Sequence, residues 1–282
     1  MLKGGKAPNM QLDAYFKRIG FNEAAKVDLP TLAALHRHHL LAIPYENLDI
    51  HLGRALTLDL THIFDKIVQQ QRGGWCYEMN GLFAWALREI GFDVQMLGSR
   101  VGSPAQGGDA DLDHLILEVT MENQPWLVDV GFGNGLLEPI PLRVGQYEQG
   151  FLQYQLSEEP EEGRWFFHNQ PRGGGGFGFT RQRREYASFA RRCHELQTWP
   201  DSGFVRATVC HRHTGDAVIT LRGAVLKEVT AQGVAERIVD NYDDYAQVLA
   251  QQFDLHLDET PALWARVWER HLAWQQEMAA TT

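Results

Sequence analysis

The sequence has few cysteines and no excess of basic residues. Its three cysteines are Cys76, Cys193 and Cys210, and none of them forms a Cys-x-x-Cys pair. A small, odd number argues against a disulfide framework and favours a reducing compartment, with the cytoplasm as the expected location. The net charge of -10 argues against a nucleic-acid partner, which requires a basic face, but it leaves room for a local basic site that binds a phosphorylated ligand.

Features that indicate a membrane or a metal are also missing. No stretch of 18 or more consecutive apolar residues is present, so no transmembrane helix is expected. The first twenty residues lack the apolar stretch of a signal peptide. The run Arg37-His38-His39 has no partner pattern for zinc. We therefore expect no membrane partner and no metal.

The hydrophobic period changes along the 282 residues. Helical spacing marks the first ninety residues, including Leu12 to Ile19 before Gly20 and a segment that begins at Pro30. Short strands joined by polar loops follow from about residue 92, and helical patterns return at 245–253 and 261–278. Because helices precede a sheet and a mixed end, without βαβ alternation, the order indicates an α+β fold.

Cys76 follows a glycine turn and lies at the start of a well-marked helix that stops at Gly91. The unpaired N–H groups of a helix start carry partial positive charge, which predicts a lowered thiol pKa and a site for an oxyanion. Gly73 and Gly74 leave space for a substrate to approach. Cys76 is therefore a candidate nucleophile, although an isolated cysteine is also compatible with a small buried residue.

A cysteine nucleophile needs a base and a group that orients the base. Among twelve histidines, His114 stands out because it opens an apolar run directly after an acidic loop. Asp129 lies in the apolar run 127–130, where a carboxylate needs a partner. Two adjacent antiparallel strands would bring His114 and Asp129 together in a Cys-His-Asp arrangement.

Several segments, taken in their order along the chain, resemble the arylamine N-acetyltransferase family. The family signature RGG-aromatic-C-aromatic-E-x-N-x-x-F is similar to residues 72–83, RGGWCYEMNGLF. Two further elements are similar to residues 43–49, IPYENLD, and 129–133, DVGFG. His114 follows Cys76 by 38 residues and precedes Asp129 by 15, which is the family spacing. The likeness extends from about residue 12 to 255.

The resemblance implies a fold like the core of papain-like cysteine proteases and transglutaminases. It implies a helical domain at 1–91 that carries Cys76, a β-barrel domain at 92–200 that carries His114 and Asp129, and an α/β lid domain at 201–282. It also implies a structural ion pair between Arg72 and Glu46 behind the nucleophile.

The implied reaction is ping-pong transfer of an acetyl group from acetyl-CoA, through a thioester on Cys76, to an arylamine, arylhydrazine or arylhydroxylamine. His114 is implied as the base and Asp129 as the group that orients it. The implied partners are a small aromatic amine or hydrazine, with the protein itself a monomer or homodimer.

The resemblance also implies substrate-binding and CoA-binding residues. Tyr45, Trp75 and Phe132 are implied to bind the acceptor, with Tyr45 and Trp75 replacing other aromatic residues of the family pattern. Asp201 and Ser202, in a P-x-S-x-F segment, are implied to bind CoA, although Trp199 departs from the small residue usual there. The glycine-rich segment 171–184 with its arginines is interpreted as a surface turn, with a phosphate-binding loop as the alternative.

Other functions remain open. A related amide synthase or acyltransferase of secondary metabolism would use the same triad with a different acyl donor. A cysteine hydrolase would transfer the acyl group to water. A binding module without catalysis would show Cys76 no more reactive than Cys193 or Cys210.

Overall fold

The computed structural model describes residues 10–281 as helices at the start and end of the chain with two antiparallel sheets between and beside them. Residues 1–9, which the predicted first domain includes, lie outside the described residues. The α-helices are α1 (Leu12–Ile19), α2 (Leu29–Ala42), α3 (Leu48–His51), α4 (Leu60–Phe64), α5 (Cys76–Ile90), α6 (Ala190–Thr198), α7 (Gly203–Arg206), α8 (Tyr242–Phe253) and α9 (Thr260–Thr281).

The strands form one sheet of eight and one of five. The eight-stranded sheet has the order β5-β4-β3-β2-β9-β8-β7-β6, from β2 (Asp93–Val101), β3 (His114–Met121), β4 (Gln124–Val128), β5 (Ile140–Pro141), β6 (Gly145–Gln149), β7 (Leu152–Glu159), β8 (Arg164–His168) and β9 (Phe177–Arg184). The five-stranded sheet has the order β1-β10-β11-β12-β13, from β1 (Tyr45–Glu46), β10 (Val209–His213), β11 (Ala217–Arg222), β12 (Val225–Thr230) and β13 (Gly233–Ile238).

Local capping explains the helices that the sequence predicts. Gly20 ends α1 with φ +70°, a conformation that favours glycine. The Asp28 carboxylate accepts a hydrogen bond from the Thr31 N–H and begins α2, with Pro30 in the first turn. Gly91 ends α5 with φ +112°. The predicted end of α1 and the predicted start and end of α5 are confirmed, and α2 begins at Leu29, one residue before the predicted start at Pro30.

The sequence misplaced some strands. The segment 171–184 was interpreted as a turn, but its second half is β9, which pairs with β2 and β8 in the middle of the sheet. Phe177 and Phe179 are buried there. Their packing in the core stabilises a strand, although the glycine-rich residues before it favour a turn. The apolar run 127–130 was expected to hold Asp129 within a strand, but β4 ends at Val128, so Asp129 lies directly after it.

The eight-stranded sheet curls toward closure around its own apolar core. Tyr147 of edge strand β6 donates hydrogen bonds to the carbonyls of Pro141 (3.2 Å) and Arg143 (2.6 Å), at and next to the other edge, β5. Buried side chains between the curled walls include Leu97, Leu156 and Phe167.

Two other apolar clusters complete the core. One packs α1, α2 and α5 against one face of β2 and β3 and also takes in Phe189 and Cys193 near α6. The other packs α8 and α9 against the five-stranded sheet. Strand β1 comes from the helical segment yet pairs with β10, so the first and last parts of the chain share a sheet. Among residues 10–281, no helix is both long and apolar enough to cross a bilayer.

Candidate active site

Cys76 is the first residue of α5 and follows a tightly packed turn. Gly74 bridges to Tyr45 of β1, with the Glu46 N–H donating to the Gly74 carbonyl at 2.9 Å. A Cβ on Gly73 would lie 2.1 Å from the Pro44 carbonyl oxygen, so only glycine fits this approach. The glycine pair therefore packs the turn that precedes Cys76 against β1.

A buried network of charged side chains lies beneath this turn. Arg72 donates to Glu46 (2.6 Å) and Asp49 (3.0 Å), and Lys66 contacts Asp49 (2.9 Å) and Glu78 (3.0 Å). The predicted Arg72–Glu46 ion pair is confirmed and is part of a larger set. Burial alone would lower the pKa of Lys66, but the nearby carboxylates have the larger effect and raise the pKa of this lysine. The Glu78 carboxylate also accepts from the Trp75 N–H at 3.2 Å, which ties the network to the helix start.

The structure brings His114 and Asp129 into direct contact. His114 opens β3, and Asp129 follows β4, which pairs antiparallel with β3. Their side chains are buried, and the distance from His114 Nε2 to Asp129 Oδ2 is 2.8 Å. Because Nε2 is occupied by Asp129, Nδ1 is the ring nitrogen available to a reacting group.

Asn80, one turn after Cys76, holds the segments that carry His114 and Asp129. Its Nδ2 donates to the Leu115 carbonyl (2.6 Å) and to Asp129 Oδ1 (2.8 Å), and its Oδ1 accepts from the Val130 N–H (3.0 Å). With Oδ1 of Asp129 held in this way, Oδ2 is left for His114. Asn80 belongs to the signature at residues 72–83, and its position four residues after Cys76 is the sequence feature that indicates this role.

His36 of α2 supports the same loop from the other side. Its Nδ1 lies 3.0 Å from the Leu137 carbonyl, and its Nε2 lies 3.3 Å from the Asp129 backbone nitrogen. Burial lowers the pKa of His36 to about 4, so the ring is uncharged at neutral pH. A neutral ring donates from Nδ1 and accepts at Nε2, which matches both contacts. Nothing in the sequence around His36 indicated this role.

Cys76 and His114 border one cavity of about 370 Å³. Tyr45 and Phe132, two of the residues expected to bind an acceptor, also line it, and the Phe132 ring packs 5.3 Å from the His114 ring. Trp75 does not line this cavity. Its side chain is fully buried and packs edge-on against the rings of Tyr77 and Phe204.

The ionisation expected of Cys76 differs in the structure. The sequence predicts a lowered thiol pKa, but burial raises the pKa of Cys76 well above its usual value. Backbone N–H groups of Leu115 and Tyr77 favour the thiolate but do not offset the loss of water. The helix start alone therefore does not ionise the thiol, and a proton acceptor is needed.

The residues expected to bind CoA already have partners in the chain. Ser202 caps α7, accepting from the Phe204 N–H at 3.2 Å and donating to the Leu196 carbonyl at 2.5 Å. Asp201 is exposed and pairs with Arg206 at 2.6 Å. Neither residue lines the cavity that contains Cys76. Trp199 is half exposed, with the Arg192 guanidinium over its ring.

A second, larger cavity of about 660 Å³ lies against the five-stranded sheet and α9. Its lining is strongly basic, with one carboxylate, that of Glu236, and six cationic side chains: Arg172, Arg206, Arg222, Lys227, Arg266 and Arg270. Arg172 lines it together with Gly173 and Gly174 of the glycine-rich segment. Arg181 and Arg184 of that segment do not, because they bind Glu118 and the Gly108 carbonyl. The sequence did not reveal this cavity, since its cations lie on separate elements.

Metal-binding geometry is not found in the described part of the chain. Residues 10–281 contain no group of three or more His, Cys, Asp or Glu side chains placed to hold an ion. The cysteines at 76, 193 and 210 are free and buried.

Sequence comparison relates most of the chain to known acetyltransferases. A family model described as N-acetyltransferase matches residues 28–262. The chain is 33% identical to the pineal gland arylamine N-acetyltransferase isozyme NAT-3 of Gallus gallus, over 89% of this chain and 96% of that protein. It is 36% identical to arylamine N-acetyltransferase 2 of Mesocricetus auratus, over 77% of this chain and 82% of that protein.

Solved structures show the same fold. The arylamine N-acetyltransferase of Nocardia farcinica superposes with a TM-score of 0.84 at 33% identity, covering 94% of this chain and 97% of that one. The Mycobacterium marinum enzyme, solved in complex with CoA, gives a TM-score of 0.82 at 27% identity, covering 92% and 99%. The predicted α+β fold of this family is confirmed.

Replacing His114 by Ala tests the ionisation of Cys76. Because burial raises the thiol pKa, the variant keeps the thiol protonated near neutral pH, and thiolate forms only as the pH rises through that raised pKa. We expect alkylation of Cys76 by iodoacetamide at pH 7 to fall about a hundredfold and then to rise about tenfold per pH unit. Mass spectrometry of the Cys76 peptide gives the rates. Alkylation at the wild-type rate at pH 7 would contradict His114 as the proton acceptor.

Replacing Asn80 tests how Asp129 is held. In Asn80→Ala the Leu115 carbonyl and the Val130 N–H lose buried partners, which we expect to cost about 2–4 kcal/mol of unfolding free energy. Asn80→Asp keeps the side-chain size but places an oxygen against Asp129. We expect both variants to alkylate Cys76 at least about tenfold more slowly at pH 7. Wild-type alkylation in Asn80→Asp would show that the Nδ2 donor is not required.

Proposed function

The chain belongs to the arylamine N-acetyltransferase family and is an acetyl-CoA-dependent acyltransferase. We propose that Cys76 accepts the acetyl group and that His114, oriented by Asp129, transfers the protons. The observation that carries this assignment is the buried His114–Asp129 hydrogen bond beside a cavity that Cys76 also borders. The acceptor is an arylamine, arylhydrazine or arylhydroxylamine.

In the first half-reaction the acetyl group moves to the protein. The Cys76 thiol gives its proton to Nδ1 of His114, and the sulfur attacks the acetyl carbonyl of acetyl-CoA. The imidazolium that forms is stabilised by Asp129, which Asn80 holds in place. The unpaired N–H groups at the start of α5 are placed to receive the oxyanion. When the tetrahedral intermediate collapses, the CoA sulfur leaves with the proton from His114.

In the second half-reaction the acetyl group moves to the acceptor. The amine nitrogen attacks the Cys76 thioester and passes a proton to His114, which returns it to the departing Cys76 sulfur. The products are the N-acetylated amine and the free thiol. Phe132, Tyr45 and Phe204 line the cavity around this site, and their rings suit an aromatic acceptor.

The larger cavity supplies what an acetyl-CoA donor needs beyond the thioester. CoA carries phosphate groups, and six cations line this space against one carboxylate. Within the described residues, Arg172, Arg222, Arg266 and Arg270 form no ion pair with a carboxylate, so their charges are available to an anionic ligand. Asn134, His211 and Arg222 line both cavities, so the two spaces adjoin. We propose that the phosphates of CoA bind in the larger cavity while its thioester reaches Cys76.

We place this activity in the cytoplasm. A nucleophilic thiol must remain reduced to react, and the three cysteines of this chain are unpaired. Fractionation of the source cells followed by detection of the protein tests this location.

Mass spectrometry of the intact protein after treatment with acetyl-CoA tests the assignment. We expect one added acetyl group on Cys76, no addition in Cys76→Ala, and discharge of the group when an arylhydrazine is added. A panel of acyl-CoA donors tests the related acyltransferases: strong preference for a longer acyl group would favour them. Absence of the Cys76 adduct with every donor would contradict the assignment.

Arg222 tests the phosphate-binding role of the larger cavity. We expect Arg222→Met to raise KM for acetyl-CoA about tenfold, because a charge facing phosphate is lost, with kcat nearly unchanged. The KM for S-acetylpantetheine, which lacks the nucleotide and the diphosphate, should change by less than about twofold. Arg183→Met is the matched control, since Arg183 is exposed and lines neither cavity. Equal increases in KM for both donors would contradict a phosphate contact.

A further inference from the structure

The face of the five-stranded sheet that carries Tyr45 continues from the cavity of Cys76 into the basic cavity. Tyr45 pairs directly with His211, His211 with Thr220, Thr220 with Lys227, and Lys227 with Glu236. Directly paired residues in a sheet share a face, so these five side chains form one row. Tyr45 borders the cavity of Cys76, whereas Lys227 and Glu236 border the basic cavity.

His211 stands in this row where the two cavities meet. It lines both of them, as do Asn134 and Arg222. A ligand with phosphates among the cations and a thioester at Cys76 must pass His211. In acetyl-CoA the part that passes is the pantetheine arm, a chain with two amide groups.

The imidazole of His211 is fixed on three sides. Its Nδ1 lies 2.8 Å from Thr220 Oγ1, and its ring packs 5.5 Å from the Tyr45 ring. A Cβ on Gly133 would lie 2.6 Å from His211 Cδ2, so the DVGFG segment closes the third side. These contacts hold the ring in place, and Nε2 is the polar ring atom that they leave without a partner. Among the described residues, none forms a hydrogen bond with this atom.

His211 is uncharged at neutral pH. Burial lowers its pKa to about 4, and the nearby Arg222 charge acts in the same direction. A neutral imidazole has one donor and one acceptor nitrogen, and the Thr220 hydroxyl is able to donate to Nδ1 or accept from it. Nε2 therefore suits either the C=O or the N–H of an amide.

We propose that His211 is a specificity-determining residue for the acyl donor, and that its Nε2 hydrogen-bonds an amide of the pantetheine arm between the phosphate-binding cavity and Cys76. This inference rests on the proposed function, because it assumes that acetyl-CoA occupies both cavities. It assigns the recognition of the arm to a side chain that is separate from the triad and from the phosphate-binding cations.

Three acetyl donors separate the contribution of the nucleotide from that of the pantetheine arm. Acetyl-CoA has the nucleotide and the arm, S-acetylpantetheine has the arm alone, and p-nitrophenyl acetate has neither. The kcat/KM of each donor is measured at a saturating arylhydrazine concentration for the wild type, His211→Leu and His211→Asn. His213→Leu is the matched control, because His213 is buried on the same strand but lines neither cavity.

We expect His211→Leu to lower kcat/KM for acetyl-CoA and for S-acetylpantetheine about tenfold relative to p-nitrophenyl acetate, because one buried hydrogen bond is lost. His211→Asn retains a donor and an acceptor and should restore most of this selectivity. His213→Leu should change the three values in the same proportion.

The outcomes distinguish the inference from the function on which it rests. A wild-type protein that forms no acetyl-Cys76 from any donor overturns both. A normal wild type with equal losses for all three donors in His211→Leu overturns the inference alone, because it shows a general effect on the site. A loss confined to acetyl-CoA also overturns it, because the contact is then with the nucleotide part.

Discussion

The buried ion network beneath the start of α5 is the constraint on which the site depends. Arg72 and Lys66 are shared among the carboxylates of Glu46, Asp49 and Glu78, and these five charges lie on five separate parts of the helical segment. Burying such charges is costly, and removing one partner typically costs about 3–5 kcal/mol because the other is left unpaired. The network thus forces β1, the glycine turn and α5 into one arrangement, and that arrangement sets the position of Cys76.

The same packing that positions Cys76 makes its ionisation unfavourable. Burial raises the thiol pKa, and the helix start does not compensate for it. His114 borders the same cavity, and its orientation depends on Asp129 and through it on Asn80 and His36. A thiol that ionises only when its proton has an acceptor is less exposed to side reactions with oxidants. With His114 as the proposed acceptor, ionisation of the sulfur depends on the same hydrogen bonds that hold Asp129.

The two cavities are lined by parts of the chain that are distant in sequence. Strand β1 near the N-terminus adds Tyr45 to a sheet whose other strands lie between residues 209 and 238. The five-stranded sheet extends from the cavity of Cys76 to the basic cavity. Arg266 and Arg270 of α9 line the basic cavity beside it. A single sheet that borders both cavities fixes the distance between them.

The family resemblance implied the Arg72–Glu46 pair. The amino-acid sequence by itself determined the order of helices and strands, the end of α1, the start of α2, both ends of α5 and the candidates Cys76, His114 and Asp129. These depend on local patterns: caps, periodicity and a compact motif around the nucleophile. Tertiary structure alone decided that β9 is a central strand, that Asn80 and His36 hold Asp129, that Trp75 is buried away from the cavity, and that the thiol pKa is raised. It also created the basic cavity and the junction at His211. Each of these depends on desolvation or on contacts between residues tens to more than a hundred positions apart, and neither quantity is encoded in any short stretch of sequence.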